Sequence, residues 1–303
     1  MIGRTNFITE ALWSDIMLVW YCLVDDAYKQ LESRFGAWRQ RGPAPVFTDS
    51  EVITVAMVID TFFGGHEALG LSFLRQYHAD LFPHLPGEGR FNERRTRLGP
   101  LIDQVRRLIT QEAGLLPDED RIRLIDSAPI FVNTYARGGS SATLVGPEYF
   151  GIAKSQGAKV FGLRLVLTTS TEQVVDGWMV APAAPHDSTT MSAALEDDES
   201  LLVLGDGAYH SPVHQTVLAD KHDIRVLAPP RKDSLTPWPA ELRQTVTRLR
   251  RNIETALSIL AVTFHVERPN ARSLLGLICR ISTRILAYNL CFVMNNHLAQ
   301  LST

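Results

Sequence analysis

Cysteine is scarce in this chain of 303 residues, and the three present, Cys22, Cys279 and Cys291, sit in apolar contexts at spacings that suit no metal. That excludes a disulfide-stapled secreted scaffold and a thiolate zinc site, so the thiols read as reduced core residues of an intracellular protein. Long hydrophobic runs are also missing. The longest charge-free apolar stretches, 16–24 and 285–296, fall short of the roughly 20 residues a bilayer-spanning helix needs. Glu10 and Asp15 interrupt the first helical pattern, where a signal peptide would be apolar. Neither charge sign is in large excess: the formal net charge is -3 and the isoelectric point about 6.3. There is no internal repeat and no low-complexity tract. With 45% hydrophobic and 21% charged residues, the composition is that of a soluble globular protein of one large or two ordinary domains.

What is present is unevenly distributed. Residues 225–284 hold eleven Lys/Arg against four acids, whereas 191–223 hold one lysine against seven acids. The near-neutral total therefore conceals a basic C-terminal third, which either meets phosphates or forms solvated helix faces. The first 116 residues read as an all-helical domain. A helical stripe covers 5–33; a capping box at Thr48-Asp49-Ser50-Glu51 starts a helix over 52–63 that Gly64-Gly65 ends; another helix covers 71–81. A last helical region runs from Arg90 to Glu112 and opens with Arg94, Arg95 and Arg97. Short helices with a basic last member form either a helix-turn-helix-like DNA reader, with these arginines on DNA, or an ordinary bundle with its arginines in water.

Residues 117–303 change pattern and read as a second domain. The stretch Leu124-Ile125-Asp126 is a buried strand, which Ser127 and Pro129 should stop, leaving Asp126 at its end. Residues 131–156 read as a loop or insertion. Two antiparallel strands follow over 159–167 and 173–181, then a short helix to about Leu195 for which Asp187 is the simplest N-cap. A second buried strand over 201–204 ends in Gly205-Asp206-Gly207, where flanking glycines allow a sharp turn beside the carboxylate. A helix over 211–220, a strand over 224–228 and two long helices, 239–264 and 271–298, complete the chain. This element order is that of an α/β, RNase H-like mixed sheet flanked by helices.

In that order Asp126 ends the first strand, Asp206 ends the fourth, and Glu254 follows the fifth on a helix whose apolar stripe packs on the sheet. The three positions should converge. Three clustered carboxylates raise one another's pKa unless cations are bound, and oxygen-only donors suit Mg²⁺ or Mn²⁺. Two such ions would support in-line attack on a phosphodiester. Glu254 alone would read as a solvated partner of Arg250 or Arg251, on the same side of its helix.

The segments Leu124-Ile125-Asp126-Ser127, Pro185-His186-Asp187, Leu204-Gly205-Asp206-Gly207-Ala208-Tyr209 and Arg250-Arg251-Asn252-Ile253-Glu254-Thr255 together resemble the signatures of bacterial insertion-sequence transposases with a DDE catalytic domain. The similarity extends to Asp49-Ser50-Glu51-Val52-Ile53-Thr54, Arg90-Phe91-Asn92 and Ile285-Leu286-Ala287-Tyr288-Asn289. The resemblance implies metal-dependent DNA cleavage at element ends and strand transfer into target DNA. It implies Asp126, Asp206 and Glu254 as ligands of two Mg²⁺ or Mn²⁺ ions, Arg250 on phosphate, Arg251 also on DNA, and His186 either near the site or simply beside a helix cap. The partners it implies are the element's terminal inverted repeats, target DNA and at least a second copy of the chain, with no membrane, on the bacterial nucleoid in the cytoplasm. Two positions depart from the family signature: Thr247 stands where a tyrosine is expected and Ala261 where a lysine is. The alternatives are a stand-alone nuclease of the same fold and a domesticated DNA-binding protein that no longer transposes.

Overall fold

The computed structural model describes residues 10–38, 42–153, 157–230 and 237–301. Positions 5–9 of the first expected helix, 154–156 of the expected loop, and Arg231 and Lys232 of the basic third lie outside them. The chain divides into two compact units, one built from the described residues up to Leu115 with Thr263–His265 and the residues from Pro269 on, the other from Leu116–Val262 with Val266–Arg268.

The first unit is helical: α1 (Glu10–Phe35), α2 (Asp49–Phe62), α3 (Glu67–Tyr77), α4 (Glu88–Arg97), α5 (Gly99–Glu112) and a last helix, Leu274–Leu301. The capping box that starts α2 is formed, with Thr48 Oγ1 accepting from the Glu51 amide at 3.1 Å and Glu51 returning to the Thr48 amide. Past its end, Gly65 takes φ +83° and donates its N–H to Ile59 O at 3.1 Å, which turns the chain through 110° into α3. The helical region expected over 90–112 is two helices. Pro100 in the first turn of α5 begins a new one, because proline suits a helix start and not an interior.

The Leu274–Leu301 helix, expected with the catalytic domain, packs instead on α2 and α5. Its residues 281–290 are buried on every side, as are 52–60 of α2, and helices apolar all round need a shell of other helices. Its stretch Leu274–Asn296 is long and apolar enough to cross a bilayer, yet 78% of the relevant window is buried within the protein. The two arginines that interrupt it are spent inside the same unit. Arg280 donates to Glu67 Oε1 at 2.6 Å and to Gly65 O at 3.0 Å; Arg284 donates to His265 O at 2.5 Å and lies 3.7 Å from Asp60 Oδ1. Arg95 joins them, bonded to Asp60, to Glu67 at 3.1 Å and to Thr283 Oγ1 at 2.9 Å. Burial first, with Arg95 and Arg280 also adverse, lowers the Arg284 pKa to about 10.

The second unit holds β1 (Ile122–Asn133), β2 (Phe150–Ala153), β3 (Ala158–Thr169), β4 (Val175–Pro182), α6 (Asp187–Ala194), β5 (Leu202–Leu204), α7 (Pro212–His222), β6 (Arg225–Leu227) and α8 (Ala240–Val262), which makes the last helix α9. β3 pairs antiparallel with β1 on one edge and with β4 and β2, end to end, on the other. β1 continues in parallel to β5, and β5 to β6. One face carries α8, through Val246 and Ile253 on Leu124 and Leu204; the other carries α6 and α7, through Met191, Leu195 and Leu218 on Ile125 and Val203. This is the RNase H-like arrangement, a mixed sheet between helices.

Two expectations are corrected here. β1 does not stop at Ser127 but runs to Asn133, so Asp126 is mid-strand. Pro129 is tolerated because the Phe131 N–H points away from β3, to Glu267 O at 2.8 Å, and by the period of two the Pro129 nitrogen faces the same side, where β5 has ended. The segment 131–156 is also not simply a loop, since β2 extends the sheet with Phe150 packed on Phe161 at 4.8 Å.

Asp60→Ala would leave Arg284 buried without its carboxylate and Arg95 with Glu67 alone. Unfolding in urea should show a loss of about 3–5 kcal/mol; a change under about 1 kcal/mol would mean the network contributes little.

Candidate active site

The site follows from one register. The parallel β1–β5 ladder has Leu124 opposite Leu204 as its last pair, and Asp126 and Asp206 each lie two residues further on. The two carboxylates therefore emerge together where β5 ends while β1 continues along β3. Period-two alternation turns Leu124 and Asp126 to the α8 face, and Ile125 and Ser127 to the α6–α7 face. After Leu204 the Gly205 N–H bonds Leu227 O at 3.1 Å, and Asp206 caps a short 3-10 turn, accepting from the Ala208 amide at 2.8 Å. Neither glycine beside Asp206 uses a positive φ. Gly205 is needed for space, because a Cβ there would lie 3.0–3.1 Å from the Tyr209 side chain.

On α8, Arg250 places Nη2 3.3 Å from Asp126 Oδ2 and 3.8 Å from Glu254 Oε1. Glu254 is 56% exposed and joins the aspartates only through that guanidinium. Among the described residues no three His, Cys, Asp or Glu side chains stand close enough to ligate one ion, so the expected convergence brings two acids together directly and the third by way of Arg250. Arg251 is exposed on α8, as is Thr247.

A fourth carboxylate takes part. Asp187 does not cap α6, a role that falls to His186, whose Nδ1 accepts from the Ser188 amide at 3.3 Å. One residue further in, the Asp187 side chain is free to accept from Arg164 Nη1 at 2.6 Å and from Ser127 Oγ at 2.8 Å. Arg164 also donates to Ala183 O at 3.1 Å. Asp126, Asp187, Asp206, Arg164 and His186 line one cavity of about 460 Å³, with apolar walls that include Pro129 and Phe150. Sequence reading missed Arg164, Ser127 and the part played by Asp187. The available signal was one arginine within the apolar run Leu163-Arg164-Leu165-Val166-Leu167.

Burial pushes the Asp126 carboxyl up to about 6, with Asp206 and Asp187 adding to the rise, while the Ser127 amide (2.8 Å) and Arg250 oppose it. Burial, then Asp187 and Asp126, likewise holds the Tyr209 phenol well above its usual range; among the described residues its hydroxyl finds no well-formed hydrogen bond. An excess of negative charge confined beside oxygen-only donors is an environment that suits a hard divalent cation.

The arginines expected on DNA from the helical unit are separated by the structure. Arg95 is 1% exposed, and its place in the ion-pair network removes it from any phosphate. Arg94 is largely covered, paired with Asp49 and 5.9 Å above the Phe47 ring. Arg97 is exposed, with Glu93 at 2.5 Å. Residues on the inner and outer sides of α4 cannot share one contact surface.

The raised Asp126 pKa fixes a sign for stability. Between its unfolded value near 3.8 and about 6 the unfolded chain releases this proton first, so the carboxylate costs folding stability that is absent below pH 4 and fully expressed above about 6. In EDTA, Asp126→Asn should melt higher than wild type at pH 7, with the gap closing towards pH 4. A variant less stable at pH 7 would contradict the assignment.

No curated protein matches the sequence. Among solved structures, the Mos1 transposase paired-end complex with left transposon end aligns at 11% identity over 86% of this chain and 98% of that one, with a TM-score of 0.21. The Mos1 strand transfer complex aligns at 10% over 95% and 98%, with a TM-score of 0.23. Likeness at this level carries no weight of its own. The family described as transposase DDE domain, however, matches residues 117–290, more than half of the chain, with Asp126, Asp206 and Glu254 inside the match. The chain belongs to the transposase DDE-domain family and is an enzyme that acts on DNA in transposition.

Proposed function

We propose that the chain cuts DNA at the ends of its own mobile element and joins those ends to a target, with Asp126, Asp206 and Glu254 holding two Mg²⁺ or Mn²⁺ ions. The observation that carries this reading is the shared last rung of β1 and β5, which presents Asp126 and Asp206 side by side at the rim of a cavity, on the face α8 covers with Arg250 and Glu254. Bound there, the ions would activate the attacking oxygen and stabilise the leaving one.

The chain's own groups have separate tasks in this reading. The aspartates are set by backbone order, Asp126 by β1 and Asp206 by its turn, so their carboxylates need little reorganisation. Arg164, steadied by Asp187, gives the cavity a cation to meet a phosphate oxygen. Arg250 and Arg251 on α8, and Arg97 on α4, are the cations of the expected set that can face DNA; Arg94 and Arg95 support the helical unit. His186 ends the α6 approach to the cavity and orients Asp187 by capping. Pairing two element ends calls for at least two copies of the chain, and three free cysteines suit a cytoplasmic protein working on nucleoid DNA.

The test is cleavage of labelled duplex from the DNA flanking the reading frame, with Mg²⁺ or Mn²⁺ and with EDTA. Metal-dependent nicking at an inverted-repeat junction is expected, with Glu254→Gln slower by at least about a hundredfold, or about 2.7 kcal/mol. Tight end binding without nicking would return the chain to the regulatory, non-transposing reading. For Arg251→Ala the slope of log affinity against log salt should flatten by about 0.9, as for one lost phosphate contact. An unchanged slope would return Arg251 to the solvated surface.

A further inference from the structure

We infer that Arg250 is a resident counter-cation of the carboxylate site, which the metal must displace and which then becomes available to DNA phosphate, so that metal and DNA binding assist each other. The inference rests on the metal-site reading above. A single nitrogen, Nη2 of Arg250, stands between Asp126 Oδ2 at 3.3 Å and Glu254 Oε1 at 3.8 Å. An ion ligated by both carboxylates would need that same space and would repel the guanidinium. The two cations are alternatives.

The rest of the geometry favours exchange over a permanent ion pair. Both contacts use the same nitrogen and neither is a bidentate fork, the arrangement that makes arginine–carboxylate pairs strong. The Nε–H of Arg250 is buried and finds no acceptor among the described residues, so the present pose leaves a donor unmet. Asp187, by contrast, is held firmly by Arg164 and Ser127 and can stay in place. Glu254 is more than half exposed, free to turn towards the aspartates once Arg250 has left. Released, Arg250 has a long side chain on a helix side that also carries exposed Thr247, Arg251 and Ser258, a surface that a phosphate can approach. Until that exchange, Asp126 and Glu254 are held apart by the group that separates them.

By linkage, removing the displaced cation strengthens metal binding and abolishes the coupling to DNA. Mg²⁺ binding would be measured by calorimetry on the full chain for wild type, Arg250→Met, Arg250→Gln and Asp126→Asn, each first shown to melt cooperatively. Arg250→Met should bind Mg²⁺ at least about fivefold tighter than wild type, and Arg250→Gln the same should the methionine variant not fold. A duplex already cut at the element end should tighten Mg²⁺ binding to wild type but leave the variant's affinity unchanged. The salt slope for that duplex should steepen by about 0.9 more in wild type than in the variant when Mg²⁺ is added. Equal or weaker Mg²⁺ binding by the Arg250 variants, with binding still lost in Asp126→Asn, would overturn the inference and leave the metal site standing. So would tighter binding in the variants with no difference in DNA coupling. Wild-type Mg²⁺ affinity in Asp126→Asn would remove the metal site and the inference together.

Discussion

Two like charges placed side by side at the end of one strand pair set the terms for the catalytic unit. The β1–β5 ladder fixes backbone positions, and the backbone cannot relax to separate Asp126 from Asp206 without breaking the rung at Leu124 and Leu204. Their repulsion, together with burial, has to be offset by a cation, and every polar element nearby answers to that need. Arg250 comes from α8, Arg164 comes from β3 through Asp187, and the amides of Ser127 and Ala208 each bond one oxygen, of Asp126 and of Asp206 respectively. The apolar packing of Leu124 and Ile125 on opposite faces holds this unfavourable arrangement together. A site of this kind borrows its stability from the core immediately behind it.

The helical unit meets the same electrostatic problem with the signs reversed. Asp60, Glu67, Arg95, Arg280 and Arg284 are buried with one more cation than anions, and burial first, then the neighbouring arginines, depresses the Arg284 pKa against the pull of Asp60. Here the charges are shut away from solvent and joined by short contacts among α2, α3, α4 and α9, so they give the bundle a particular pairing of helices rather than a reactive surface. Gly65 belongs to that design. A Cβ at its position would come within 2.7 Å of Arg284 Nη2, so the turn residue that lets α2 meet α3 also admits the guanidinium.

The sequence carried the sheet well because its strands are apolar runs of the right length, and it carried the aspartates because each follows such a run. What it could not show depends on partners far away along the chain. Pro129 looks like a stop unless one knows that β5 ends before reaching it. The four residues Phe150-Gly151-Ile152-Ala153 are too few to show alternation and become a strand through the edge of β3. Arg95 and Arg97 are two positions apart and indistinguishable by type, yet one is sealed among residues 28, 35 and 188 positions distant and the other lies in water. The capping of α6 was missed by one residue, and that single step decides whether Asp187 serves its own helix or the cavity.

The helical unit is assembled from both ends of the described chain, with the whole catalytic unit inserted between α5 and α9. On a ribosome, the residues up to Leu115 emerge before the catalytic unit but must wait for about 160 more before α9 arrives, a delay on the order of ten seconds at ordinary elongation rates. During that interval Asp60 and Glu67 lack two of their three arginines, and the apolar surface of α2 has no cover from α9. The catalytic unit, contiguous apart from three residues, can complete its sheet and nearly all its packing meanwhile. Of the two units, the one whose synthesis starts earlier is thus the later to close.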